Sequence, residues 1–541
     1  MNANPIWGID GYKLGHIQQY PKGQTFLFEN FTPRSNKHFN TPWPWGEAGS
    51  PLVASGIQTF AQQWLFECFD KYFFNKKRKK IVKEFQKFVN EYLDRDVNLD
   101  HIDSLHRLGY LPITIKAVPE GDLVSMGTPL FTVHNTHEDY AWLCGFLEDL
   151  MSNENWPVAT AATIAFNYKL ICSYWAAKTC DNDFHVPYQC HDFSSRGDMG
   201  FWAATLVGVG HLMSFIGTDN VPAAKRVREG YLNAKDSSAN VAKTIPASEH
   251  STTTTNINLI LGHWEQGLEW EGYTKESFPA AYVDGEDRLK AEACYLHYYI
   301  TKLYPTGLCS YVMDSYDFWG MVEKVLPILR DVIVSREGKL VVRPDTGNPA
   351  DVICGNPNAE HDTCEYYGLV ISLSEIFGFT INDKGMRIIN DHIGIIYGDS
   401  ITLDRADDIF RRMYGLGFAS SNVVFGVGSF TYQYVTRDTF GFAVKATATT
   451  VDGTDVMVYK QPKTDSGKNS LKGLITHYQK NHLWCAVDQQ SQEQFEKYSL
   501  LPVVFADSEV AGTASVYEIR KRIDEHVKRI VGERLANEQS I

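Results

Sequence analysis

Five short strings in this 541-residue chain concentrate side chains that can bind anions or move protons. HDFSSRGDMG (191–200) holds His191, Asp192, Phe193 and Arg196. An arginine beside an aromatic ring suits an aromatic anion or a phosphate, through stacking and charge-assisted hydrogen bonds. The same string could be a helix start capped by Asp192 or Ser194. PASEHSTTT (246–254) sets His250 between Glu249 and a run of hydroxyls. Histidine is the usual group for proton or phosphoryl transfer near neutrality. A lone histidine is also a common structural residue, and the threonines, poor helix formers, read as a cap or an edge. VVRPDTGNP (341–349) follows a β-branched strand and puts Arg343 and Asp345 on one face, at i and i+2. The arginine suits a phosphate; the aspartate suits a ribose hydroxyl pair or a Mg²⁺ shell. YGDS (397–400) and FGVGSF (425–430) are glycine-containing strand ends, where backbone N–H groups can approach a phosphate or simply turn. Gly426 and Gly428 begin a dinucleotide fingerprint, but Thr431 stands at its third glycine, and no G-x-x-x-x-G-K-[ST] occurs.

These strings need a frame that brings them to one place. From about 150 to 430, apolar runs repeatedly end in a polar or glycine-rich tip, as in FHVPYQCHDFSSRG, LMSFIGTDN, CSYVMDSYD, KLVVRPDTGNP, IGIIYGDSI and NVVFGVGSF. Helical patterns such as 317–333 and 403–417 lie between them. Strand–tip–helix units indicate parallel strands with crossover helices. Chemistry-bearing residues at many strand ends predict an α/β barrel with its site on the C-terminal face. The ends of the chain differ in rhythm. Residues 111–135 read as short strands broken by turns, and 441–461 as a hairpin about Asp452-Gly453. A final helix is predicted from Ser515, with Glu518 completing a capping box and Val516, Ile519, Ile523, Val527 and Ile530 on one stripe. The predicted organisation is therefore α/β: a barrel over 151–430 and a second α+β domain built from both ends, 1–150 and 431–541.

Composition bounds the function. The chain is 44% hydrophobic and 13% aromatic, enough for a large core, with 51 Lys+Arg against 65 Asp+Glu for a net charge of −14. Such a surface repels phosphate backbones, which argues against a nucleic-acid partner and requires local cations for any anionic substrate. No apolar run is long enough to span a membrane, and the first residues carry no secretory pattern. Ten scattered cysteines without a C-x-x-C pair predict reduced thiols and a cytoplasmic location. Cys354, His361 and Cys364 match no zinc spacing. NKKRKKIVKEF (75–85) could be a nuclear signal or a phosphate patch; it reads best as a solvated helix face with Ile81, Val82 and Phe85 inward.

Taken as a series, DGYKLGHIQQYP (10–21), LPITIKAVPEG (111–121), HDFSSRG, GTDN (217–220), PASEHST, DSYD (314–317), VVRPDTGNPAD (341–351), YGDS and FGVGSFTYQYVTRD (425–438) resemble the nicotinamide phosphoribosyltransferases, type II phosphoribosyltransferases. The resemblance runs from Asp10 to about Lys472. It implies an incomplete α/β barrel with a second domain from both ends, and a cytoplasmic homodimer with shared active sites. The implied reaction, part of NAD salvage, joins nicotinamide to 5-phosphoribosyl-1-pyrophosphate, releasing pyrophosphate. Mg²⁺ assists, and ATP drives it through a phosphohistidine. By motif, His250 is the implied phosphoryl acceptor and Asp314 its orienting partner. Phe193, with Tyr12 of the other subunit, is implied to sandwich the pyridine ring. Asp219 would accept the carboxamide N–H, with Arg196 and Arg343 near the carboxamide and phosphates. Asp345, Gly398 and Asp399 would hold ribose hydroxyls. Gly428 and Ser429 would receive the 5′-phosphate, aided by Arg437 and Lys445 from the partner chain, with Asp10 also in the ribose and phosphate set; Lys460 and Lys468 match lysines near pyrophosphate and ATP. Ser429 replaces a glycine of the pattern and Ala443 a serine, and 40–50 and 255–310 depart from it. The alternatives are a nicotinate phosphoribosyltransferase, against which Asp219 argues by charge, a catalytically silent binding relative, and a generic phosphate-binding barrel lyase.

Overall fold

A computed structural model describes residues 4–39, 49–398, 400–461 and 470–539. Its centre is a parallel sheet of β1 (Cys190–Asp192), β2 (Thr306–Val312), β3 (Glu337–Arg343), β4 (Ile393–Tyr397) and β5 (Val423–Val427), in the order β1-β5-β4-β3-β2. The β-branched, apolar triplets of β3 to β5 are the expected content of strands buried on both faces. Isolated parallel bridges extend the sheet, from Asp192 to Thr218, from Gly217 to Lys243, and from Ala247 to Ser310 in β2. Residues 217–218 and 243–247 thus act as two short staves that carry the sheet from β1 back to β2. Seven staves result, where a full (β/α)₈ barrel has eight. This is the incomplete α/β barrel the sequence implied.

Both ends of the chain build the other large sheet. Its strand order is Thr454–Met457, Ala443–Val451, Gln24–Thr32, Phe131–Asn135, Ile113–Ala117, Val503–Ala506 and Glu509–Val510, with antiparallel pairing throughout. The predicted hairpin turn is present, with positive φ at both Asp452 (48°) and Gly453 (73°), the geometry that matches strand twist. A stacked Phe31–Phe442 pair, centroids 4.9 Å apart, joins the two ends in one core. The basic run enters the Arg78–Leu93 helix from Arg78 on; that helix buries Phe85 and Val89 and leaves Ile81 and Val82 half-buried.

Helix α1 (Glu148–Thr179) runs through the barrel's core cluster. The final helix (Val516–Gln539) has the predicted capping box: Glu518 N donates to Ser515 Oγ at 3.3 Å and Ser515 N to Glu518 Oε2 at 2.7 Å. Its five stripe residues are all buried, and they pack into the barrel's core rather than into that of the two-ended sheet. Arg520 on the same helix is buried and donates to the carbonyls of Leu212, Phe215, Asn240 and Val241. Those carbonyls lie just before the two short staves, so the end of the chain braces the part of the ring with the fewest ladder bonds. All ten cysteines are free thiols, and none of the described helices is long and apolar enough to cross a membrane.

Candidate active site

The C-terminal ends of the staves open on a cavity of about 560 Å³. Phe193 and Arg196 after β1, Asp219, His250, Arg343 at the end of β3 and Asp345 just after it, Gly398 after β4, and Gly428 and Ser429 after β5 all line it. Residues scattered over about 240 positions of sequence therefore share one wall, because a parallel barrel delivers every strand end to the same face.

Phe193 forms the apolar floor. A Cβ on Gly426 would lie 2.5 Å from its Cδ2, and one on Gly398 would lie 3.6 Å from its Cε2. These glycines let the ring lie flat across two strand ends. His191 packs beside it, centroids 4.8 Å apart, and its Nε2 stands 2.9 Å from Asp219 Oδ1. Thr244 donates its hydroxyl to the same oxygen. Burial pushes the Asp219 carboxyl up, but the His191 hydrogen bond and charge, then Thr244 and the Arg343 charge, outweigh it and hold the group below its ordinary range. Asp219 is thus held as a carboxylate. It is not a helix cap: the neighbouring Asn220 caps the Val221–Gly230 helix, accepting from Ala223 N at 3.2 Å.

His250 is the first residue of helix α2 (His250–Glu265), capped by Glu249 through a capping box with Thr252. The threonine run is therefore helical, contrary to the cap-or-edge expectation beyond Thr252. Thr254 and Thr255 offset their poor propensity by donating to the carbonyls of His250 and Ser251, both at 2.7 Å. The helix N-terminus makes the His250 position favourable for an incoming anion. Nε2 of His250 lies 3.4 Å from Asp314 Oδ1, and Nδ1 lies 3.1 Å from Ser315 Oγ. Asp314 is buried behind the histidine, and its Oδ2 accepts from Asp345 N at 2.9 Å. That bond ties the His250 group to the Arg343–Asp345 pair, whose Nε and Oδ2 are 3.4 Å apart.

The remaining sequence-derived residues fall elsewhere. Tyr12 and Arg437 are exposed and do not line the cavity. Neither do Asp10, Lys445 and Lys460: Asp10 N donates to Asp149 Oδ2, Lys445 pairs with Glu148 at 3.5 Å, and Lys460 N donates to Ser470 Oγ. Asp399 and Lys468 lie outside the described residues. Ser429 places its hydroxyl where a Cβ on Gly197 would fall, so the serine is accommodated by a glycine opposite. Ala443 is buried opposite Thr32. Sequence reasoning missed Thr244 and Ser315. Ser315 sits inside DSYD and was within reach. Thr244 carries no local signal, since only closure of the ring brings it to Asp219.

Comparison with known proteins agrees with this frame. The model of the nicotinate phosphoribosyltransferase (NAPRTase) family matches residues 188–499. A protein of Acinetobacter baylyi named nicotinamide phosphoribosyltransferase is 39% identical over 97% of this chain and 98% of its own length. One of the same name from Mycoplasma pneumoniae is 30% identical over 86% of this chain and 94% of its own. Among solved structures, nicotinate-nucleotide pyrophosphorylase from Pyrococcus furiosus superposes with a TM-score of 0.54 at 13% identity, covering 97% of this chain and 96% of that one. Human nicotinic acid phosphoribosyltransferase gives 0.51 at 14%, covering 96% and 93%. At these identities the two structures speak for the fold.

Proposed function

Because the chain belongs to the nicotinate phosphoribosyltransferase family, we propose that it is a nicotinamide phosphoribosyltransferase. In this reading it joins nicotinamide to 5-phosphoribosyl-1-pyrophosphate and releases pyrophosphate, as a step of NAD salvage. The observation that carries the choice of base is Asp219, a carboxylate on the cavity wall held by His191 beside the Phe193 ring. A carboxylate accepts from an amide N–H₂ and repels a second carboxylate.

The chemistry proceeds through a ribose with oxocarbenium character, as pyrophosphate leaves C1′ and the pyridine nitrogen arrives. Phe193 fixes the plane of a flat, weakly nucleophilic ring, and Asp219 fixes its rotation. Arg196 and Arg343 supply fixed positive charge near the carboxamide and the phosphates. Gly428, with no atom within 4 Å of where a Cβ would be, leaves its backbone open to a phosphate, and Ser429 adds a hydroxyl. Gly398 and Asp345 meet side by side on the cavity wall, where a Cβ on Gly398 would lie 2.8 Å from Asp345 Oδ1, and together they present a polar edge to the ribose hydroxyls. Mg²⁺ suits this site: Asp345 is a half-buried carboxylate on the cavity wall, and Mg²⁺ commonly takes one or two carboxylates plus substrate phosphates. Bound there, it would neutralise charge on the leaving pyrophosphate.

ATP fits as phosphoryl donor to His250, a half-exposed imidazole at a helix N-terminus with a buried carboxylate behind it. Tyr12, Arg437 and Lys445 lie outside their own chain's cavity on the part of the fold built from both ends, which supports a homodimer in which they complete the partner's site. Nicotinate remains the second reading because the family carries that name.

Asp219→Ser tests the base assignment. It removes the charge while Asn220 keeps the helix cap. The charge-assisted hydrogen bond is worth roughly 1.5–3 kcal/mol. Repulsion of a carboxylate at about 4 Å is of order 4 kcal/mol at an effective dielectric of about 20. The variant should lose nicotinamide efficiency and gain relative use of nicotinate; unchanged selectivity in a folded variant defeats the assignment. For ATP, His250→Ala should abolish acid-labile labelling from γ-labelled ATP.

A further inference from the structure

DGYK (10–13) belongs to the family pattern, and the proposed chemistry uses Asp10 and Tyr12 but gives Lys13 nothing to do. Yet Lys13 is 4% exposed, an uncommon place for a lysine. Its Nζ donates to Glu148 Oε2 at 2.5 Å and to Gly145 O at 2.7 Å. Burial pushes the ammonium down, but the hydrogen bond and charge of Glu148 lead the groups that outweigh it and hold Lys13 above its ordinary range. Lys13 is a buried cation with a built partner.

That partner holds a second cation. Glu148 Oε1 lies 3.5 Å from Lys445 Nζ, which also donates to Val444 O at 2.7 Å. On the other side of the pair, Lys13 Nζ is 5.7 Å from the centre of the Tyr12 ring. The next residue, Asp149, accepts from Asp10 N at 2.8 Å. Glu148 and Asp149 open α1, where carboxylates suit the helix N-terminus. Asp10, Tyr12 and Lys445 therefore come from opposite ends of the chain and are gathered on the first turn of one helix. Tyr12 is exposed, Lys445 is half-exposed, and neither lines its own chain's cavity. The buried Glu29 nearby is pushed up to about 8, by burial and then by Glu148, so it adds little charge at neutral pH. Lys13, Glu148 and Lys445 together carry one net positive charge. Without Lys13, Glu148 would simply neutralise Lys445.

We propose that Lys13 and Glu148 are positioning residues, an ion pair that presents Tyr12 and Lys445 as one unit to the partner's active site. The inference rests on the shared site of the homodimer reading. Glu148 fixes the Lys445 ammonium through one carboxylate oxygen and Lys13 through the other. Lys13 in turn anchors the segment that carries Tyr12 and offsets the Glu148 charge, so that Lys445 keeps its attraction for a phosphate. The ring clamp and the phosphate cation thus share one support, and disturbing it weakens both at once.

The test uses the full chain as wild type, Glu148→Gln, the charge-free double variant Lys13→Met/Glu148→Gln, Tyr12→Ala and Asp219→Ala. In Glu148→Gln, KM for 5-phosphoribosyl-1-pyrophosphate and for nicotinamide should each rise about tenfold, the order expected for losing a charge-assisted hydrogen bond, with kcat changed far less. The double variant should show the same rise, and it leaves no buried charge unpaired, so it serves where Glu148→Gln alone fails to fold. An ion pair that only held the fold together would lower the active fraction, and so kcat, and leave both KM values alone. Mixing shows on which side of the site Glu148 acts. After subunit exchange, at substrate concentrations below KM, Glu148→Gln with Asp219→Ala should gain activity several-fold, since one mixed site has all its parts. Glu148→Gln with Tyr12→Ala should gain none, since both changes lie on the same side. Unchanged KM values in folded variants, or the reverse pattern of gains, overturns the proposal and leaves the shared site standing. No gain when Tyr12→Ala is mixed with Asp219→Ala defeats the shared site, and this proposal with it.

Discussion

Gly426 shows how tightly the ring-binding floor is specified. A methyl group there would fall 2.5 Å from Phe193 Cδ2 and 2.6 Å from Gly398 Cα, so Gly426→Ala must displace the ring or the neighbouring strand end. Overpacking of this kind costs about 1–3 kcal/mol. Steady-state kinetics should show roughly a tenfold or larger loss in kcat/KM, mostly through KM for nicotinamide, with thermal stability lowered far less. A normal KM would mean that Phe193 does not set the base. At this scale the sequence was legible where chemistry and strand end coincide: Phe193, Asp219, His250, Arg343 and Asp345 share one cavity. It was silent on Thr244, because the contact to Asp219 crosses between staves. That Asn220 and not Asp219 caps the following helix is visible only in the Asn220 side chain accepting from Ala223 N.

Among the elements, the weakest staves, 217–218 and 243–247, depend on a helix almost 300 residues away. Arg520 holds carbonyls just before each of them, and burial pushes its guanidinium down to about 10. Arg520→Met keeps the apolar stem and strands those acceptors, a loss of about 3–5 kcal/mol by analogy with breaking a buried charged network. Urea unfolding should show a lower midpoint at unchanged slope. A midpoint within experimental error of the wild type would mean the ring does not lean on the final helix. Long or strongly patterned elements were readable: the Asp452-Gly453 hairpin and the Ser515 capping box are set by residues close together in the chain. The two short staves were not, since a pair of bridged residues leaves no periodicity. The threonine run misled because helix propensity ignores hydroxyls that return to the carbonyl four residues back.

For the whole molecule, charge and assembly make separate predictions. His477 is buried against Pro129 O, and burial pushes its imidazole down to about 4. The unfolded chain takes up a proton near pH 6.5, so His477 costs stability as pH falls from there towards 4. His477→Gln should therefore gain on the wild type by about 1.4 kcal/mol per pH unit over that window, read as urea midpoints at about pH 7 and 5. A constant difference would show that the imidazole is not held neutral. For assembly, Tyr12→Ala and Asp219→Ala proteins, each inactive, should recover activity when mixed, since one mixed dimer contains an intact site. No recovery after verified subunit exchange would place the whole site within one chain. The pairing of both chain ends in one sheet was legible only as a shared rhythm, because strand order is fixed by contacts more than 400 residues apart, such as Phe28 with Ala448. The central claim is the choice of base, and one competition assay addresses it. The purified protein is given 5-phosphoribosyl-1-pyrophosphate, Mg²⁺, ATP and equal nicotinamide and nicotinate, and the mononucleotide products are separated. The account predicts nicotinamide mononucleotide in at least about hundredfold excess, each ~1.4 kcal/mol being tenfold; equal products, or an excess of nicotinate mononucleotide, would contradict it.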